Sequence, residues 1–260
     1  MTEIAHAPSG ARAEAARLSL ARADEAFWLN HLFWPMAIVL PIFCLIEWFG
    51  LDRRLAHSVF YDSALHRWMG NAPNDWWARG LIHNGGRWLC RSIAGTALVM
   101  WLMSFLSARA RPWRRTAGFV LAALAVSMLI VGGLKAITNV DCPWDLAEFG
   151  GIRPYVTLFG DRPDALPQAQ CFPGAHSSSG FALVCFYFVF RDRSRWKARL
   201  ALAAGLVTWL LFAFGQEARG AHFISHDLAG AAIVWVVQLM IYARWMRPRA
   251  ALVHGTVGYR

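Results

Sequence analysis

The chain has 260 residues, 57% of them hydrophobic and only 16% charged, with 14 Trp and a mean hydropathy of +0.35. That composition excludes an ordinary soluble domain and predicts an all-α, polytopic membrane protein. A formal charge of +10 would suit nucleic acid, but the Lys and Arg lie in short loops beside apolar runs, where they hold a chain on the cytoplasmic side, so no nucleic-acid partner is expected.

Met1 to Ala26, with Arg12, Arg17 and Arg22, reads as a polar helical leader in the cytoplasm; it lacks the apolar core of a cleavable signal peptide. Phe27 to Gly50 is the first of six expected transmembrane helices, long enough to cross about 30 Å of hydrocarbon. Residues 51–84 alternate polar and aromatic positions, including Phe60, Tyr61, Trp68, Trp76 and Trp77. They predict short amphipathic helices on the outer face, with a turn at Asn71-Ala72-Pro73-Asn74. His57, His66 and His83 there, like His31, read as ordinary interfacial residues. Further spans are expected at about Gly86 to Ser107, Ala117 to Thr138, Ser178 to Phe190, Leu200 to Gly215 and Leu228 to Met246. The membrane domain is then 27–247, followed by a cytoplasmic tail at 248–260.

Basic residues sort with the alternation of six spans. Arg109, Arg111, Arg114 and Arg115 fill one loop, and Arg191, Arg193, Arg195, Lys197 and Arg199 another, whereas 139–177 holds only Arg153 and Arg162, and 216–227 only Arg219. This bias puts both termini in the cytoplasm and the two poorly basic loops on the opposite face, the periplasm for a bacterial inner membrane. Arg53, Arg54, Arg67 and Arg79 run against the trend.

The chemistry gathers on that opposite face. Lys135 ends the third span, Cys171-Phe172-Pro173-Gly174-Ala175-His176-Ser177 leads into the fourth, and Arg219 to Asp227 joins the fifth to the sixth. Ionisable groups at a bilayer boundary are costly to keep and mark a functional site. His222 and His226 are four apart, a spacing that suits a nucleophile with an orienting partner, or two metal ligands. A cation, a Gly-containing turn at a helix start and an Arg beside two His can together hold a phosphate and attack it, the turn's N–H groups near Gly174 to His176 facing the oxyanion.

These residues resemble the type 2 phosphatidic acid phosphatase superfamily. Its first signature reads here as Lys135, six residues, then Cys142-Pro143; its second as Pro173-Gly174-Ala175-His176; its third as Arg219, His222 and His226-Asp227. The resemblance covers about residues 85–245. It implies a six-helix membrane phosphatase that needs no metal or other cofactor, acts on an amphiphilic phosphate-bearing lipid and works through a phosphohistidine. By position, His222 is then the nucleophile and His176 the general acid, while Lys135, Arg219, Gly174, Ala175 and Ser177 bind the phosphate. The family's first-motif Arg is replaced by Cys142, its third-motif Arg falls at Gln216, and its Asp falls at His226, one residue before Asp227. We expect Arg219 to reach the phosphate from one helical turn away, about 5.4 Å. Helical spacing favours His226, rather than Asp227, as the direct partner of His222.

A phosphotransferase using the same phosphohistidine and a non-catalytic lipid or ion carrier are the alternative functions. A di-His metal site lacks a Glu or Cys ligand set at zinc-like spacing. Of five Cys, Cys44, Cys90 and Cys185 fall within expected spans, leaving Cys142 and Cys171 in the outer loop as the expected disulfide. The sequence is silent on the oligomeric state.

Overall fold

The computed structural model describes residues 9–71 and 76–248. Helices dominate it, because apolar runs in lipid must satisfy their own backbone hydrogen bonds. Helix α1 (Ser9–Trp28) passes through a π-helical turn (Leu29–Phe33) into α2 (Trp34–Phe49). From Ser9 onward, therefore, the expected leader is the beginning of the first long helix. The tail expected at 248–260 lies outside the described residues beyond Pro248.

Helix α3 (Leu51–Leu55) and a π turn (Ala56–Phe60) lead into an antiparallel hairpin of β1 (Tyr61–Asp62) and β2 (Arg67–Trp68). The region expected as amphipathic helices is thus partly a hairpin. Tyr61 and Trp68 face each other across it with ring centroids 5.2 Å apart, a cross-strand aromatic pair of the kind that stabilises short ladders. The turn expected at Asn71-Ala72-Pro73-Asn74 falls mostly on 72–75, outside the described residues. A π helix (Trp76–Gly85) then runs directly into α4 (Gly86–Leu106), so the second long helix begins at Trp76, well before the expected start at Gly86.

The remaining elements are α5 (Arg114–Ile137), α6 (Ala175–Phe181), α7 (Cys185–Phe190), α8 (Arg195–Glu217) and α9 (Ile224–Trp245). Among the described residues five helical stretches are long and apolar enough to cross a membrane: Leu18–Phe49, Trp76–Leu106, Arg111–Ile137, Arg195–Glu217 and Ile224–Trp245. They mark an integral membrane protein. The stretch expected as the fourth of six spans is a shorter apolar segment, Ala175–Phe190. It is broken by a 3-10 turn at Ala182–Val184, where the Gln238 amide donates to the Ala182 carbonyl at 2.7 Å.

That short segment forms the axis of the bundle. Phe119, Val120, Ala123, Leu124 and Val131 of α5 and Val234, Leu239 and Tyr242 of α9 close around Phe181, Val184, Cys185 and Phe188. Helices α2 and α4 stand outside, with Trp48 and Trp88 exposed. Lipid is as apolar as these side chains, so close packing rather than escape from water selects the inner helices.

A second cluster covers the end of the bundle where α5 stops and α6 and α9 begin: Phe60, Tyr61, Trp68, Leu146, Phe149, Ala218 and Phe223. Beneath it the long connection between α5 and α6 is fixed internally. Asp141, 7% exposed, accepts from Arg153 at 2.5 Å and from Arg162 Nε at 2.8 Å. Burial alone would raise the Asp141 carboxyl, but the hydrogen bonds and charges of Arg162 and Arg153 hold it below the usual range. Cys142 and Cys171 form the expected disulfide, with Cα atoms 5.2 Å apart.

Candidate active site

Four pieces of chain meet under the aromatic cover: the end of α5 with Lys135, the start of α6, the connection between α8 and α9, and the π helix that precedes α4. Each owes its position to local chemistry. The Phe172-Pro173 peptide is cis, and Gly174 follows as the residue capping α6, its N–H donating to the His226 carbonyl at 2.9 Å. A Cβ on Gly174 would overlap Asp227 Oδ1 and lie 2.7 Å from His222 Nδ1. Only glycine lets the start of α6 approach these two side chains so closely. Gly220 turns the α8–α9 connection at φ +71°, packed against the Trp68 indole, and its carbonyl accepts from the Trp144 N–H at 2.9 Å.

His222 and Asp227 are both buried, and their Nδ1 and Oδ1 are 2.7 Å apart. This corrects the expectation that His226 is the direct partner. Phe223 is extended, at φ −88° and ψ 163°, so α9 starts after His222 and the i, i+4 relation does not apply. The His226 ring centroid is 6.2 Å from that of His222, and the residue lines a small cavity with Glu47, Asp52 and Tyr155. With Nδ1 occupied, His222 Nε2 makes no hydrogen bond among the described residues. Burial first, then the charges of Lys135 and Arg219, push the His222 imidazole well below its ordinary range, so it is neutral at pH 7. Those two cations are therefore close enough to act on it. Lys135 is half-buried and Arg219 only 8% exposed. Gln216, at the family Arg position, accepts from Arg219 Nη1 at 2.9 Å and so fixes the guanidinium.

The expected phosphate-binding backbone needs one change. The Gly174 N–H is taken by His226, whereas those of Ala175, His176 and Ser177 open α6 and have no carbonyl four residues back within the helix. The Ser177 hydroxyl is turned inward, 2.5 Å from Asp227 Oδ1 and 3.1 Å from the Gly174 carbonyl. Its side chain steadies the buried carboxylate, which would otherwise be costly to desolvate. Across from His222, the His176 ring lies between Phe212, stacked at 4.5 Å and 11°, and His83 at 4.4 Å. The Ile82 backbone lies close enough to the His176 ring to act on it. His176 Nε2 is buried with no partner among the described residues.

Three residues of this site escaped the sequence reading. His83, taken for an interfacial residue, touches His176. Ile82 lies beside the same ring. Asp52 accepts from the Ser225 N–H at 3.1 Å and from its hydroxyl at 2.5 Å, capping α9 from a distant part of the chain. Burial raises the Asp52 carboxyl to about 6 against the lowering effect of those hydrogen bonds. The available signal for His83 was its company: Arg79, His83 and Arg87 recur every fourth residue. Among the described residues no group of three or more His, Cys, Asp or Glu is arranged to hold a metal ion.

A family model described as the PAP2 superfamily matches residues 116–249, just over half of the chain. The matched segment contains Lys135, His176, His222, Asp227 and both bridged cysteines. No curated protein and no solved structure matches the chain.

Proposed function

The chain belongs to the PAP2 superfamily, which implies phosphatase-type chemistry on phosphate esters, and from that premise we propose a membrane-embedded lipid phosphatase working through a phosphohistidine. His222 Nε2 attacks phosphorus in line, and the P–O bond to the leaving oxygen breaks as that oxygen takes a proton from His176. Water then attacks the phosphohistidine, giving its proton back to His176, and the N–P bond breaks. Asp227 orients the His222 ring and stabilises positive charge on it as the N–P bond forms. Lys135, Arg219 and the first N–H groups of α6 balance the charge of the phosphoryl oxygens.

The observation that carries this reading is the buried His222–Asp227 pair, 2.7 Å apart. It fixes one ring nitrogen and leaves the other for phosphorus. The reading needs no metal or cofactor. It extends to six spans, with Ala175–Phe190 as the short central one, both termini cytoplasmic and the site at the periplasmic face of a bacterial inner membrane. The lipid partner supplies the phosphate or diphosphate ester, and the bilayer holds its chains beside α2 and α4.

The test is a rapid quench with a lipid phosphate carrying labelled phosphorus. Wild-type protein should trap an acid-labile, base-stable phosphoenzyme, and His222→Ala should trap none and lose turnover by about 10,000-fold or more. Turnover by His222→Ala at the wild-type rate would sink the proposal.

A further inference from the structure

At the end of the bundle away from His222, an apolar groove of about 380 Å³ runs between α4, α5 and α7. Ile93, Ala97 and Met100 line it from α4, Ala117 and Val120 from α5, and Val189 from α7. Ala97, Ala117, Val120 and Val189 are buried and make its floor, while Thr96 and Met100 at its rim are exposed. A recess of this size in hydrocarbon does not stay empty, because an unfilled void forfeits the dispersion contacts of its lining. An acyl chain fits such a lining.

The mouth of the groove has a different chemistry. Trp113, Thr116 and Arg193 lie where it reaches the end of the bundle, and Arg193 is the charged residue among those that line it. The Arg193 guanidinium has no hydrogen bond, ion pair or ring contact among the described residues, and the Thr116 hydroxyl and Trp113 indole N–H have no hydrogen bond there. Nearby cations are spent within the protein: Arg114 Nε donates to the Ser104 hydroxyl at 3.2 Å, Arg115 Nε to the Trp245 carbonyl at 3.1 Å and Arg191 to the Tyr242 hydroxyl at 2.8 Å. Asp192, the acid next to Arg193 in the chain, is taken by Arg191 Nη1 at 3.1 Å and by the Tyr242 hydroxyl. The mouth therefore presents an unneutralised guanidinium fork with an O–H and an N–H donor beside it.

That donor set suits a phosphodiester, which a guanidinium grips through two parallel hydrogen bonds. With no carboxylate lining the groove to offset Arg193, a headgroup of net negative charge is favoured over a zwitterionic one. We propose that the groove binds an anionic glycerophospholipid, separate from the substrate, with one acyl chain against Ala97, Ala117 and Val120 and its phosphodiester on Arg193. Thr116 and Trp113 donate to its headgroup or ester oxygens. The groove shares no residue with Lys135, His176, His222 or Asp227, so this lipid site stands or falls apart from the phosphatase reading.

The test is native mass spectrometry of the full chain in detergent, titrated with dioleoyl phosphatidylglycerol and with dioleoyl phosphatidylcholine. Wild type should bind its first phosphatidylglycerol at least about fivefold more tightly than phosphatidylcholine. Arg193→Gln should bring that ratio to about one, whereas Arg199→Gln, an exposed Arg of α8 outside the groove, should leave it in place. Thr96→Trp, which fills the groove from its rim, should weaken both lipids alike; if that variant fails to fold, Met100→Trp takes its place. A wild-type ratio near one, a ratio that survives Arg193→Gln, a ratio lost equally in Arg199→Gln, or unchanged affinities once the groove is filled would each overturn the site. Dimers of wild type that vanish with Thr96→Trp would seat a second copy of the chain in the groove and overturn it as well.

Discussion

The two ends of the bundle use the same residue types for opposite purposes. At the end near Arg111, cations are tied to helix ends and rings: Arg115 Nε donates to the Trp245 carbonyl at 3.1 Å, and Arg191 to the Tyr242 hydroxyl at 2.8 Å. The guanidinium of Arg247 lies 3.8 Å over the Phe27 ring and pairs with Asp24 at 2.6 Å. These contacts finish helix C-termini and keep charge beside water. At the other end, Arg219 and Lys135 are drawn inward around imidazoles and a carboxylate. Burial is what separates them: a cation in water is a weak partner, while one removed from water acts strongly on its neighbours.

If this contrast is sound, damage should grade with position. The largest effect belongs to the partner of His222. Asp227→Asn should lower kcat by about 1,000- to 10,000-fold, because the amide holds the wrong tautomer. His226→Ala, whose ring stands off, should cost roughly tenfold. Steady-state kinetics on any hydrolysed lipid phosphate gives the ranking, and the reverse order would restore the helical pairing of His222 with His226.

Gly174→Ala comes next. Its methyl group would meet Asp227 Oδ1 and His222 Nδ1, and displacing either by a fraction of an ångström should cost about 100-fold in kcat. Helix content by circular dichroism should stay at the wild-type value. Wild-type kcat in this variant would mean that the close approach of α6 is not needed.

Much of this was readable in the chain. Lys135, His176, His222 and Asp227 each sit in a short local pattern, and the bridge followed from two cysteines left outside the apolar runs. What was not readable depended on geometry over distance. The choice between His226 and Asp227 turned on whether α9 begins before or after His222, a matter of one extended residue, Phe223. His83 and Ile82 gain their meaning only when the π helix packs beside α6, and Asp52 only when α3 reaches Ser225. The segment expected as the fourth span could be recognised as apolar, but not the 3-10 turn at Ala182–Val184 or its contact with Gln238 of α9.

A smaller effect falls on stability. Cys142→Ser with Cys171→Ser frees a loop with a sequence separation of 29 residues, worth about 3–4 kcal/mol in the chain-entropy model. Thermal unfolding in detergent should shift downward accordingly, while the molecules that remain folded keep most of their kcat. An unchanged midpoint would show that the clamp of Asp141 by Arg153 and Arg162 suffices to hold the loop. The smallest effect is expected at the far end, where Arg111→Gln should alter kcat by less than about twofold. A tenfold loss there would erase the distinction between the two ends.

The hydrogen bonds that Asp52 accepts from Ser225, together with the packing of His83 on His176, carry a lesson for anyone who would transplant this site. The segment shared with its family starts at residue 116, yet the ring packed on His176 and the cap for α9 come from upstream. A chimera joined at that boundary would import His222 with Asp227 and leave behind their upholstery. The natural seam for recombination lies ahead of α3, so that donor and recipient exchange the collar along with the core.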